Sequence, residues 1–241
     1  MAGRVLVVVP AFNEEESLPR TLAEVRALAP GVSVVVVDDG STDGTQRAAR
    51  EAGVPVLALP VNLGVGAALQ TGFRYALEEG YDVAVQLDAD GQHDPADLAR
   101  VTAPVLAGQA NVSIGSRYVE GAAEYRAPLV RRIGMLLFSW LATAVTGQPL
   151  RDTTSGYRAY DRPVMKLCLT YFPQDFPDAP LLIWVARAGY RLVEVPVTMR
   201  ARLHGQSFYT WTRSLYYPYK TLIASLVLLL RRPPTFEEAR P

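Results

Sequence analysis

A chain of 241 residues with 49% hydrophobic content is long enough to bury a sizeable core and too apolar to be disordered. Its 24 basic and 24 acidic residues cancel, and with no basic run or basic-aromatic signature the sequence argues against a nucleic-acid partner. One cysteine, Cys168, excludes an intrachain disulfide and a cysteine-rich zinc site, and its apolar helical surroundings make it a core residue.

The zero net charge conceals an asymmetry. Residues 1–110 carry 15 acids against 7 arginines, and residues 111–241 carry 9 acids against 17 Lys and Arg, so the halves stand at −8 and +8. An acidic half suits cation binding, and a basic half suits a phosphorylated ligand, a membrane surface or plain solvation. No apolar run reaches about 18 residues, so no segment is expected to span a bilayer. The N-terminus reads as a core strand rather than a cleavable leader, and the expected location is cytoplasmic.

Residues 4–9, Arg-Val-Leu-Val-Val-Val, form a continuous apolar run, the pattern of a strand buried on both faces of a parallel sheet. Pro10 stops it, and Ala11–Leu18 turns into a helix with apolar residues at 18, 22, 25 and 28 and the acids Glu14-Glu15-Glu16 expected in its first turn. The Gly-x-Gly-x-x-Gly of a dinucleotide-binding turn is missing here. A second strand, residues 33–37, ends in Asp38-Asp39-Gly-Ser-Thr-Asp-Gly-Thr45, where Ser41 and Asp43 read as helix caps and Asp39 as a ligand-facing carboxylate. Residues 54–59 form a third strand. The following Asn62-Leu-Gly-Val-Gly-Ala67 opens a helix to about Glu79, with Gly64 and Gly66 permitting close backbone approach.

The fourth strand carries the sharpest signal. Val83-Ala-Val-Gln-Leu-Asp88-Ala-Asp90-Gly-Gln92 stops at two carboxylates separated by one small residue. On an extended segment Asp88 and Asp90 point the same way, with Ala89 leaving room for a ligand. Paired acids of this kind suit a hard cation, Mg²⁺ or Mn²⁺, whose shell a substrate diphosphate completes; a solvated turn would read similarly. His93 is only adjacent to them. Asp94-Pro95 caps a helix to about Ala107, and residues 111–114 form a fifth strand before Gly115-Ser-Arg117. Five strands alternating with helices predict an α/β fold with a predominantly parallel sheet flanked by helices.

Six motifs in order, Pro10-Ala-Phe-Asn-Glu14, Asp38–Thr45, Asn62–Ala67, Asp88-Ala-Asp-Gly-Gln92, Gly115-Ser-Arg117 and Asp152-Thr-Thr-Ser-Gly156, resemble the family 2 glycosyltransferases of the GT-A (Rossmann-like) fold. Within them the chain is similar to the dolichyl- and polyprenyl-phosphate mannose synthases. The resemblance covers residues 4 to about 208. It implies an inverting hexose transfer from a nucleotide-sugar of the GDP-mannose or UDP-glucose type to a polyprenyl phosphate, with Mg²⁺ or Mn²⁺. It places Pro10, Phe12, Glu14, Val37, Asp39, Gly64, Asp88, Ala89 and Asp90 at the donor, and Asp88, Asp90 and Gln92 at the metal. It assigns Asp90, Arg117 and Arg202 to the chemistry, and Arg117, Arg131, Arg132 and Ser207 to the acceptor phosphate. Arg202-Leu-His-Gly-Gln-Ser207 is followed by Phe208 where the family usually has Lys, with Arg213 a possible substitute, and Pro180 departs from a family Glu. Asp175 or Asp178 would serve as base only for a hydroxyl acceptor, because a phosphate monoester with a second pKa of about 6 arrives mostly ionised.

Two apolar stretches remain, residues 133–145 and residues 216–230, the latter before Arg231-Arg232. Both read as helices lying in a membrane interface or forming a homodimer contact. The expected organisation is a glycosyltransferase domain over 1–208 and a C-terminal apolar helical segment over 209–241. The expected place is peripheral, at the inner face of the cell membrane. A sugar nucleotidyltransferase and a catalytically idle nucleotide-sugar-binding subunit are the rival readings; residues 10–20 lack the Gly-rich triphosphate loop of the first.

Overall fold

The computed structural model describes residues 3–122, 139–172, 178–200, 223–225, 227–228 and 230–231. The valine-rich runs become the centre of a sheet. Strands β1 (Val5–Ala11), β2 (Ser33–Asp38), β3 (Val56–Ala58) and β4 (Val83–Gln86) pair in parallel. Along β1, Leu6 and Val8 face one apolar cluster while Val7, Val9 and Ala11 face another, so both sides of the strand are covered. That is why the run shows no polar alternation.

Helices supply the covers. Helix α1 (Leu18–Leu28) buries Leu18, Leu22 and Val25 on one face of the sheet, where α2 (Thr45–Glu51) and α4 (Leu98–Leu106) also pack. Helix α3 (Val65–Glu78) and helices Arg162–Thr170 and Ala179–Arg187 cover the other. Each fully buried Val, Leu or Phe there contributes about 1.5–3 kcal/mol. Helix α3 lies so close to β1 that a Cβ on Gly72 would meet Val8 Cγ1 at 2.3 Å. Cys168 is fully buried in this layer, and burial pushes its thiol pKa well up, which leaves it an inert packing residue.

Among the described residues the sheet has seven strands; with β5 (Val112–Ser116), β6 (Arg158–Asp161) and β7 (Leu192–Pro196) the order is β3-β2-β1-β4-β6-β5-β7. β5 is not beside β4: the short β6 runs antiparallel between them, and β7 pairs in parallel with β5 at the edge. The predominantly parallel sheet is therefore mixed, with one reversed strand. Three local readings need correction. The acids Glu14–Glu16 sit in the turn before α1, whose own first turn has no acid. Gly44 rather than Ser41 or Asp43 occupies the N-cap position of α2. Gly115 and Ser116 belong to β5 instead of following it. Among the described residues, no helix is long and apolar enough to cross a membrane.

Candidate active site

The loops at the carboxyl ends of β1, β2, β3 and β4 share one edge of the sheet, the edge at which open α/β sheets bind ligands. Short polar side chains tie these loops together. Asn13, with a left-handed φ of 55°, donates its backbone N–H to Ser41 Oγ (2.9 Å) and accepts Thr42 N–H on its own Oδ1 (2.9 Å). Glu14 N–H donates to Thr45 Oγ1 at 2.9 Å, and Glu15 accepts Gly44 N–H at 2.9 Å while pairing with Arg47. Asp43 accepts from Thr45 and Glu15; burial opposes its ionisation, but these hydrogen bonds hold its pKa below the usual value.

Asp39, read from sequence as ligand-facing, is largely buried and holds the glycine-rich loop. Its two oxygens accept Leu63 N–H at 2.8 Å and Gly64 N–H at 2.9 Å. Gly64 is the N-cap of α3 at φ 90°, and Gly40, at φ 71°, would bring a Cβ within 2.5 Å of the Val61 carbonyl carbon. Only glycine fits where the second and third loops touch. Asp38 is fully buried and accepts from Ser41 N–H and Gln46 Nε2. Pro10, Phe12 and Glu14 line the same edge half-buried, whereas the Val37 side chain is wholly inside the core and can offer a ligand only its backbone.

The acid pair lies beyond β4. The strand ends at Gln86, so strand alternation does not orient Asp88 and Asp90; a turn does. Asp88 keeps 37% of its side chain exposed and accepts Gln86 Nε2 on Oδ1 at 3.2 Å. Asp90 is nearly buried and accepts Gln92 N–H at 3.0 Å. Ala89 is buried, and its carbonyl accepts Thr21 Oγ1 at 3.0 Å, which fixes the turn to α1. Behind the turn, Asp88 N–H donates to Nδ1 of the buried His93 at 3.1 Å, which occupies that nitrogen. Arg200 N–H donates to the Gln92 carbonyl, and the Arg200 side chain pairs with Glu24 and with Asp94 at 2.8 Å. Among the described residues, no cluster of three or more His, Cys, Asp or Glu could hold a metal ion. The turn presents carboxylate oxygens of Asp88 and Asp90, a donor type that hard cations accept together with phosphate and water.

Arg117 takes a different place from a free phosphate fork. Its guanidinium donates to both Asp152 oxygens at 2.7 Å and to Thr154 Oγ1 at 2.7 Å, and its backbone N–H donates to Asp152 as well. Burial opposes the ionisation of Asp152, but the hydrogen bonds and charge of Arg117 hold its pKa below the ordinary range. Glu194 on β7 accepts Arg151 N–H at 2.9 Å and Asp152 N–H at 2.6 Å; burial, with the Asp152 charge adding to it, raises the Glu194 pKa. The same loop ends at Gly156, where a Cβ would lie 3.0 Å from Asp88 Oδ2. The Asp152–Gly156 motif thus carries Arg117 at one end and walls the acid turn at the other.

Asp178 occupies the N-cap position of helix Ala179–Arg187 without a side-chain capping bond, and its carbonyl accepts Nη1 of the fully buried Arg158 at 3.4 Å. Arg131, Arg132, Asp175, Arg202, Ser207, Phe208 and Arg213 lie outside the described residues. Sequence reasoning missed Asp152 and Glu194 as organisers, and it weighed His93 only by adjacency. The signal for Asp152 was present, an acid opening a Thr-Thr-Ser-Gly run, whereas Glu194 in the strand Leu-Val-Glu-Val-Pro reads as an ordinary exposed strand residue.

Comparison with known proteins bears on this edge. The model of "Glycosyl transferase family 2" matches residues 6–168. An undecaprenyl-phosphate mannosyltransferase of Micrococcus luteus is 39% identical over 213 residues, covering 85% of this chain and 86% of that protein. A polyprenol monophosphomannose synthase of Mycolicibacterium smegmatis is 38% identical over 213 residues, covering 85% of this chain and 80% of the relative. Among solved structures, glucosyl-3-phosphoglycerate synthase from Mycobacterium tuberculosis, crystallised with Mn²⁺, UDP-glucose and phosphoglyceric acid, superposes with a TM-score of 0.72 at 21% identity. That match covers 94% of this chain and 79% of the other, and it shows a shared GT-A fold. The chain belongs to glycosyl transferase family 2 and is a glycosyltransferase of GT-A architecture.

Proposed function

We propose that this glycosyltransferase moves one hexose from a nucleotide-sugar, of the GDP-mannose or UDP-glucose type, to a polyprenyl phosphate at a membrane surface. The observation that carries the reading is the 38–39% identity, over 85% of the chain, to two proteins named for mannose transfer to undecaprenyl phosphate or polyprenol. Asp88, Asp90 and Gln92 would hold Mg²⁺ or Mn²⁺, which would neutralise charge on the departing nucleoside diphosphate. Asp39 fixes the loop of Leu63 and Gly64 beside the donor, and the tied loops of residues 12–15 and 41–45 keep that edge from rearranging. An acceptor phosphate oxygen attacks the anomeric carbon from the side opposite the diphosphate, and the bond from that carbon to the diphosphate oxygen breaks with inversion. The acceptor is already ionised, so positioning dominates over proton removal. Arg131, Arg132, Arg202 and Ser207 are assigned to phosphate, and Arg117, with Asp152, shapes the loop that faces it.

The test is a transfer assay. Purified protein is incubated with Mn²⁺, a panel of GDP- and UDP-sugars and a long-chain polyprenyl phosphate in detergent, and the lipid extract is analysed by mass spectrometry. The expected product is the lipid phosphate carrying one added hexose. Transfer to a soluble hydroxyl acceptor with no lipid product would contradict the proposal.

A further inference from the structure

His93 is held more firmly than a core histidine needs to be. Its ring stacks on the fully buried Tyr157 with centroids 4.8 Å apart and planes 14° apart, and Tyr157 O–H donates to the Asp94 carbonyl at 3.1 Å. Its backbone bridges to Met199. Because Nδ1 accepts the Asp88 N–H at 3.1 Å, the ring proton must sit on Nε2. That Nε2–H is buried, with no acceptor within hydrogen-bond reach among the described residues. The nearest carboxylate oxygen is Asp88 Oδ2 at 3.7 Å, beyond hydrogen-bond length.

Asp88 is therefore bounded on three sides. Gln86 Nε2 donates to Oδ1, the Gly156 backbone comes so close that a Cβ there would lie 3.0 Å from Oδ2, and His93 Nε2 lies 3.7 Å from Oδ2. Its remaining side is the exposed one. We propose that His93 is a positioning residue whose Nε2–H closes onto Asp88 Oδ2 when that carboxylate engages a divalent cation and a nucleoside diphosphate. A shift of less than about 1 Å brings the pair to hydrogen-bond length. Carboxylates that ligate metals are held by such outer partners, whose loss typically weakens metal affinity about 10–100-fold. His93 itself touches neither ion nor nucleotide, since Nδ1 is engaged and Nε2 is screened by Asp88. The inference rests on the proposed cation-diphosphate site and adds the group that fixes its first ligand.

The test uses the full chain, which has two histidines, His93 and His204. Long-range proton–nitrogen NMR of the imidazoles, with His204→Gln to assign the spectrum, should show His93 as the Nε2–H tautomer. Adding Mg²⁺ with GDP or UDP should move that proton downfield, while calorimetry on the same sample reports binding. His93→Asn, which keeps an acceptor for the Asp88 N–H and lacks the distant donor, should lose about 10–100-fold in Mn²⁺–nucleotide affinity. His93→Gln, whose amide reaches toward the Nε2 position, should recover part of it. An Nδ1–H tautomer, an unmoved His93 proton in a sample that binds metal and nucleotide, or wild-type affinity in His93→Asn would each overturn the inference alone. If the wild type binds no nucleotide with any metal, the proposed function falls and this inference with it. Should His93→Asn fail to fold, the wild-type spectrum still decides.

Discussion

Arg117 shows how one residue changes meaning between sequence and structure. From its motif it reads as a phosphate contact, and in the fold its planar fork is engaged on both oxygens of the buried Asp152. Lys in that place keeps the charge and loses the paired geometry, so Arg117→Lys should destabilise the chain by about 1–3 kcal/mol. A urea unfolding midpoint equal to the wild type would contradict this. The pair also sets an acid limit. Asp152 has a folded pKa below the ordinary carboxylate value, so its contribution is present above about pH 3.9 and is lost as pH falls through the folded value. Glu194, raised by burial, acts in the opposite sense: its contribution is full below the unfolded pKa of about 4.3 and is lost as pH rises through the raised one. Asp152→Asn should thus be less stable near neutrality yet flatter in its pH dependence below about pH 4. Equal acid slopes in the two proteins would show that Asp152 is not the group responsible.

At the scale of elements, the valine runs of β1 and β2 were legible because full burial on both faces leaves an unmistakable apolar string. β6 and β7 were not. The first is four residues, Arg-Ala-Tyr-Asp, with a buried arginine at its head, and the second carries a charged Glu194 mid-strand. Tertiary partners, not local pattern, decide both. The acid turn was found for a reason that proved incomplete: Asp88 and Asp90 were read on a strand that stops at Gln86, and their orientation comes instead from Gln86, Gln92 and the glycines nearby. Asp39 was read as a ligand-facing carboxylate, whereas in the fold it is buried and holds Leu63 and Gly64, partners 24 and 25 residues on, a distance that no local pattern spans. Asp39→Asn places an amide N–H₂ against one of two backbone N–H groups and should loosen that loop. The expected result is a donor KM raised about tenfold with kcat changed less, because the loop binds rather than reacts; an unchanged KM would remove the loop from the donor site.

For the whole molecule, the question is how an enzyme with no membrane-crossing helix among the described residues would meet the lipid acceptor proposed for it. Around residue 225 the chain offers one answer. Ser225 and Leu228 are buried against the body, Arg187 reaches the Leu228 carbonyl, and Arg231 lies 5.1 Å from the Tyr171 ring centroid. The opposite side carries Ile223, Val227 and Leu230, spaced i, i+4 and i+7 and exposed by 42, 46 and 88%. Polarising that face with Ile223→Ser, Val227→Ser and Leu230→Ser should abolish flotation with anionic liposomes and transfer to long-chain acceptors, while the fold persists because the three side chains are outside the core. If the triple variant still floats and instead halves its mass in solution, the face is a homodimer contact.

The metal-diphosphate binding proposed for the Asp88–Asp90 turn can be examined without any acceptor. Binding of GDP and UDP to the wild type and to Asp90→Ala is measured by calorimetry with Mn²⁺ and again with EDTA. The wild type should bind one nucleotide tightly with Mn²⁺ and weaken at least about tenfold with EDTA, and Asp90→Ala should match the EDTA value under both conditions while unfolding near the wild-type temperature. Equal affinity for the wild type with Mn²⁺ and with EDTA would contradict a cation held between the Asp88–Asp90 turn and the donor.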